Sequence, residues 1–204
     1  MAETVSNMGV TETIVVTNTN GMGQYNTFSL NAGSGDIFIS DVISYESAIR
    51  FASLMKYMES QEADVRLYIN SAGGEITSGL LMYDIIQAYP FGIDIYCTGV
   101  AASMAAVLLA GGRKGHRFIL PHSKVMIHEP LILDNFGGSA TTIEKKAQGI
   151  LGVKTLVNGL LAKHTGKTLE EINKATSFDN IMDAEEAVEF GICDEIRNIF
   201  RKEK

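Results

Sequence analysis

A single hydroxyl, Ser103, stands in the run "GVAASMAAVLLAGG" (99–112), which otherwise holds only glycine, alanine, valine, methionine and leucine. If a strand turns sharply into a helix at its glycine and alanines, that hydroxyl sits at a helix start, where free backbone N–H groups favour a developing oxyanion. A serine tolerated inside a buried helix by bonding back to a carbonyl explains the residue equally well. Three further features bear on the choice. "SAGG" (71–74) follows an apolar stretch and precedes a helical one, so its N–H groups can face the crevice at the strand ends, where open α/β sheets place ligands. "VMIHEP" (125–130) ends a buried strand with His128 just before a proline, and Asp179 lies in a short connection between two helical segments. Each alone has an ordinary structural explanation: a tight turn, a satisfied core histidine, a cap. Together they are the parts of a Ser-His-Asp hydrolase with an oxyanion hole. Their order in the chain, Ser103 then His128 then Asp179, differs from the chymotrypsin, subtilisin and α/β-hydrolase orders.

The elements that must position these groups alternate between strand and helix. "TIVVTNT" (13–19) reads as a strand, and "NGMGQYN" (20–26) as a turn or loop within an N-terminal appendage. Strands are expected at 36–40, 65–70, 93–99, 116–121, 124–129 and 191–196. Between them, 44–59 carries Ala48, Phe51, Ala52, Met55 and Met58 at helical spacing, and 75–89 is helical and apolar on most sides. A long helix is expected over about 140–163, with Ile143, Ala147, Ile150, Leu151, Val157, Leu160 and Leu161 on one face and Gly166 as its stop. It is too long for one edge of so small a sheet, so it projects and pairs with another subunit. Thr168 with Glu171, and Asp183 with Glu186, have capping-box spacing and open two short helices. Repeated β-then-α units imply an α/β fold with a mainly parallel sheet.

Composition narrows the function classes. The 204 residues are 46% hydrophobic and 20% charged, as expected of a folded domain. A net charge of −7, without a cluster of lysine or arginine, argues against nucleic acid or anionic lipid as the main partner. Cys97 and Cys193 lack metal or disulfide spacing, so no metal centre is expected. The N-terminus lacks the pattern of a secretion signal, and no window approaches a membrane span of about 20 apolar residues, so a cytoplasmic location is expected.

Four stretches together carry a family resemblance: "LYINSAGGEITSGL", "GVAASMAAVLLAGGRKGHRFILPHSKVMIHEPL", "LAKHTGKTLEEI" and "DNIMDAEEAVEFGICDEI". In order and content they are similar to the proteolytic subunits of the Clp proteases, the ClpP family of the crotonase-like superfamily. The resemblance runs from about Val15 to Ile196. It implies Ser103 as nucleophile, His128 as general base and then acid, and Asp179 as the residue that orients the histidine, with Gly74 and Met104 supplying the oxyanion-hole N–H groups. It also implies repeated ββα-type units, an N-terminal segment over 1–35 whose residues 15–30 line an axial pore, and a protease domain over 36–204 with a handle helix at about 140–163. Seven-membered rings stacked in pairs would enclose a chamber for unfolded protein substrates. An AAA+ unfoldase would feed that chamber and use ATP itself. This chain has no GxxxxGK[ST] loop, so no cofactor is expected on it.

Several positions depart from the family pattern. Ala72 stands for a usual proline, Ala105 for a glycine, and Val100 and Glu129 for glutamines. A carboxylate at Glu129, if close, raises the imidazole pKa of His128. Ser177 and Phe178 replace an acidic residue and an arginine that pair between rings in many members, and the connection 131–140 is about two residues longer than usual. At the unfoldase docking surface Tyr68 matches an aromatic residue, but Arg66 and Ala88 replace two others, so weak docking of a standard unfoldase loop is expected, with either a dedicated partner or a mixed ring containing another subunit of the family as the remedy. Two other classes share part of this pattern: a catalytically silent ring subunit, and a crotonase-type enzyme acting on acyl-CoA thioesters.

Overall fold

A ten-residue strand that changes neighbours halfway along its length organises the molecule. The computed structural model describes residues 13–18, 21–131 and 137–199. Strand β3 (Asp36–Ile39) pairs with β4 (Val65–Ser71), β4 with β5 (Ile93–Ala102), β5 with β6 (Arg117–Ile119), and β6 with β9 (Glu195–Ile196), all in parallel. Residues Ile95–Cys97 of β5 lie along β6, whereas Val100–Ala102 lie along β7 (Lys124–Ile127). The pivot falls at Gly99, where φ is 152° and an added Cβ would lie 2.5 Å from Asn70 Oδ1. That same oxygen accepts from Val100 N–H at 3.1 Å, so the side chain of Asn70 stitches β4 to β5 where their register shifts. Strand β8 (Asn180–Met182) closes this side of the sheet, antiparallel to β7.

Helices α2 (Tyr45–Ser60), α3 (Ile76–Ala88) and α4 (Met104–Ala110) cover one face, and α2 buries Ala48, Phe51, Met55 and Met58 as its spacing predicts. Ser44 opens α2 with a capping box; Thr168 and Asp183 do the same for α6 (Leu169–Thr176) and α7 (Ala184–Phe190). The opposite face carries a row of rings in register across four strands, Phe38, Tyr68, Tyr96 and Phe118, with neighbouring centroids 4.9, 5.3 and 4.9 Å apart. Two residues earlier on the same strands runs a row of charge: Asp36 pairs Arg66 at 2.6 Å, Arg66 stands opposite Asp94 in the ladder, and Asp94 meets His116 Nδ1 at 2.7 Å.

The N-terminal segment differs from its sequence expectation. Gly21–Asn26, read as loop, forms a strand β2 antiparallel to β1 (Thr13–Asn18), and Thr27–Gly33 forms a helix α1 capped by Asn26. The backbone groups of an extended "TIVVTN" need partners, and the next residues are the nearest that can supply them. Residues 1–12, 19–20, 132–136, which include part of the connection expected to be lengthened, and 200–204 lie outside the described residues.

Helix α5 (Ala140–Thr165) is as long as expected, but its apolar face is used unevenly. Val157 and Leu161 are buried, while Ile143, Leu151 and Leu156 stay exposed. Among the described residues, no helix is long and apolar enough to cross a membrane.

A buried ion pair ties the C-terminal part to the sheet. Arg117, 2% exposed, reaches Asp194 through Nε at 2.9 Å and Nη2 at 2.5 Å, and donates to the carbonyls of Ala110 and His164. Burial alone would raise the Asp194 carboxyl, but Arg117 and the N–H groups of Gly115 and Arg117 together hold it below its usual range. Asp194→Asn strands the guanidinium and should destabilise the fold by roughly 3–5 kcal/mol at pH 7. Because the folded pKa is depressed, this contribution is full above the unfolded carboxylate value of about 4 and fades as pH falls through the folded one. Denaturant melts of the two proteins should therefore converge in acid; a gap that persists there would show that the loss is not electrostatic.

Candidate active site

Strand β5 ends at Ala102 and α4 begins at Met104, so the whole reversal of direction falls on one residue. Ser103 has φ 55° and ψ −124°, a left-handed conformation that a β-carbon disfavours. The glycine and alanines before it do not form the turn; they form the second half of β5. Neighbours on both sides hold the serine there. Its N–H donates to Met126 O at 2.8 Å, and its carbonyl accepts from Ala106 N at 3.0 Å and Val107 N at 3.3 Å.

The pairing of β7 with both β5 and β8 brings the other two candidates alongside. Residue pairs Ala102–Met126 and Ile127–Asn180 are in register, so His128, just past β7, reaches Ser103 on one side and Asp179, just before β8, on the other. His128 Nε2 lies 2.9 Å from Ser103 Oγ, placed to accept the hydroxyl proton in its neutral form. His128 Nδ1 lies 3.3 Å from Asp179 Oδ1. That contact is longer than a charge-assisted hydrogen bond of about 2.8 Å, and the Asp179 side chain is 69% exposed.

The glycine pair packs against the serine turn. A Cβ on Gly73 would lie 2.5 Å from Ala102 O, 2.8 Å from Ser103 Cβ and 3.1 Å from Met104 N, so only glycine admits this approach. Ile43 clamps the loop from behind: its N–H donates to Gly73 O and its carbonyl accepts from Glu75 N, both at 2.8 Å. Ser71 Oγ accepts from Gly73 N and donates to Asp41 O. No acceptor is recorded for the N–H of Gly74 or of Met104 among the described residues, which leaves two donors beside Ser103. Sequence reading singled out "SAGG" but gave a role to Gly74 alone, and it missed Ile43; only the doubled glycine itself hinted at the close approach. A small apolar recess of about 20 Å³ adjoins the serine, walled by Ile76, Met104, Val107, Ile127 and Leu161.

The other singled-out residues fall elsewhere. Tyr68 is buried in the aromatic row and Arg66 is neutralised by Asp36, while Ala88 is exposed at the end of α3. The Glu129 carboxylate pairs with Lys154 of α5. Phe178 is 85% exposed beside Asp179. Cys97 and Cys193 are buried and free, with burial pushing the Cys97 thiol up to about 11 and Cys193 also upward. Among the described residues no cluster of three or more His, Cys, Asp or Glu could hold a metal.

Backbone strain at the serine has a measurable consequence. Ser103→Gly removes the Cβ that makes φ 55° unfavourable, and after the entropy that glycine adds to the unfolded chain it should raise stability by about 1 kcal/mol. A chemical-denaturation midpoint that falls instead would show an unstrained turn.

Compared with known protein families, the chain matches the family model described as Clp protease over residues 19–199.

Proposed function

Since the chain belongs to the Clp protease family, we propose that it is a ClpP-type proteolytic subunit, a serine endopeptidase that hydrolyses peptide bonds of unfolded proteins. The observation that carries the reading is the 2.9 Å approach of Ser103 Oγ to His128 Nε2, from a turn in which the serine hydroxyl makes no capping bond to α4. Ser103 attacks the scissile carbonyl as His128 Nε2 takes its proton. The carbonyl oxygen becomes an oxyanion and is received by the N–H groups of Gly74 and Met104, each donor worth about 3 kcal/mol in the transition state. His128 then gives the proton to the departing amine nitrogen, leaving an acyl ester on Ser103. Water enters with His128 again as base, and the ester breaks to free the serine and a carboxylate product. Asp179 keeps the imidazole in the tautomer with its proton on Nδ1 and stabilises the imidazolium. No metal, nucleotide or organic cofactor takes part on this chain.

Assembly follows from the same membership. The uncovered apolar residues of α5, Ile143, Leu151 and Leu156, suit contact with another copy, as in stacked heptameric rings that form a chamber. The β1–β2 hairpin and α1 would border the axial pore, and an ATP-driven AAA+ unfoldase in the cytoplasm would deliver the substrate. At the docking surface the guanidinium of Arg66 is held by Asp36, so the obstacle to a standard unfoldase loop is the missing apolar contact and not a free charge.

A fluorophosphonate should add once to the intact protein, on Ser103, and Ser103→Ala should abolish the adduct. His128→Ala should slow labelling by about 10⁴-fold, and Asp179→Asn by about 100-fold, less than for a buried triad aspartate because its carboxylate stands largely in water. An unlabelled wild-type chain would favour a silent ring subunit, and an adduct that survives Ser103→Ala would remove the assignment of the nucleophile.

A further inference from the structure

Two side chains one helical turn apart on α5 reach the chain segments on either side of the His128–Asp179 contact. Lys154 Nζ pairs with the carboxylate of Glu129, the residue after His128. Asn158 Nδ2 donates to Thr176 Oγ1 at 3.1 Å and to Asn173 Oδ1 at 2.8 Å, and Thr176 lies three residues before Asp179. Backbone closes the circuit, because Glu129 N–H donates to Thr176 O at 2.8 Å.

We infer that Lys154 and Asn158 are positioning residues for the triad: from one face of α5 they hold the segments that carry His128 and Asp179 at a fixed separation. The inference rests on the serine-protease reading above. His128 needs this outside support. Asp179 meets it at 3.3 Å with a carboxylate mostly in water, so that contact alone is too weak to set the imidazole's place. Near-attack geometry tolerates little error, and a displacement of about 1 Å can lower a rate 100-fold.

Asn158 also looks unlike a residue kept for stability. It is fully buried, like Val157 and Leu161 of the same helix, and its Oδ1 has no hydrogen-bond partner among the described residues. An unmet buried acceptor lowers stability, and leucine at this place would avoid it. Stability and rate should therefore respond in opposite directions to Asn158→Leu. Lys154 differs: it acts through charge and reach, so arginine should serve in its place whereas an isosteric apolar chain should not.

The test compares second-order fluorophosphonate labelling rates and thermal midpoints of the full chain and its variants at one pH. Lys154→Met and Asn158→Leu should each slow labelling of Ser103 by about tenfold. The midpoint of Asn158→Leu should equal or exceed the wild-type value. Lys154→Arg, and the exchange Lys154→Glu with Glu129→Lys, should return the rate to within about threefold of wild type. Wild-type rates in both single variants would overturn the inference. So would a slow Asn158→Leu that also melts earlier, together with a Lys154→Arg that fails to recover, since both residues would then serve packing alone. A wild-type chain that takes no label would sink the serine-protease reading and this inference with it, an outcome distinct from a labelled wild type with indifferent variants.

Discussion

Everything at the site depends on one residue being held where its own side chain disfavours it. Ser103 sits at φ 55° because the strand before it and the helix after it allow no other path, and because both its backbone groups are bonded. A strained conformation persists only where its surroundings over-determine it. Here the determinants are the ladder of β5 on β7, the first turn of α4 and the glycine loop pressed against Ala102 and Ser103. The core supplies the energy for this arrangement. Every residue of α4 from Met104 to Ala110 is buried, so the helix cannot shift to relax the turn without exposing apolar surface.

The same strand explains why three distant residues converge. Strand β5 spends its first half on β6 and its second half on β7, which leaves the end of β7 free to pair with β8. Ser103, His128 and Asp179 are then the residues that terminate three adjacent strand ends. A conventional sheet with β5 and β6 paired along their whole length would leave His128 nowhere beside the serine.

Much of this was legible in the residues. Apolar runs, helical spacing and capping-box spacing located six of the seven strands of the main sheet and the three capped helices, because local patterning and packing agree there. Strand β8 (Asn180–Met182) went unread, because three residues carry no pattern and their order comes from pairing with β7. Ser103, His128 and Asp179 were visible as residues out of place in their surroundings. What could not be read was set by contacts distant in sequence. The turn at Ser103 looked like the work of Gly99 and the alanines because composition marks flexible residues, yet Gly99 serves the pivot of β5 and the serine bears the strain itself. Gly73 was passed over for Gly74 because only the approach of Ala102 tells the two apart. Arg66 and Glu129 read as free charges, and both are paired with groups from other elements, Asp36 and Lys154, that no spacing along the chain relates to them. The strand at Gly21–Asn26 was hidden because glycine and asparagine carry no β-signal, and its partner supplies the order.

The two rows on the back of the sheet solve an alignment problem. A strand that slips by one residue turns its apolar face outward and is rejected at once, but a slip of two keeps every side chain on its proper face. Hydrophobicity alone is blind to that error. In this sheet a two-residue slip would lay Phe38 against Arg66, Tyr68 against Asp94 and Tyr96 against His116, trading stacked rings and opposed charges for pairs of ring against charge at every step. Adjacent stripes of unlike chemistry thus work as a vernier scale, and the strand ends that carry Ser103, His128 and Asp179 inherit its accuracy.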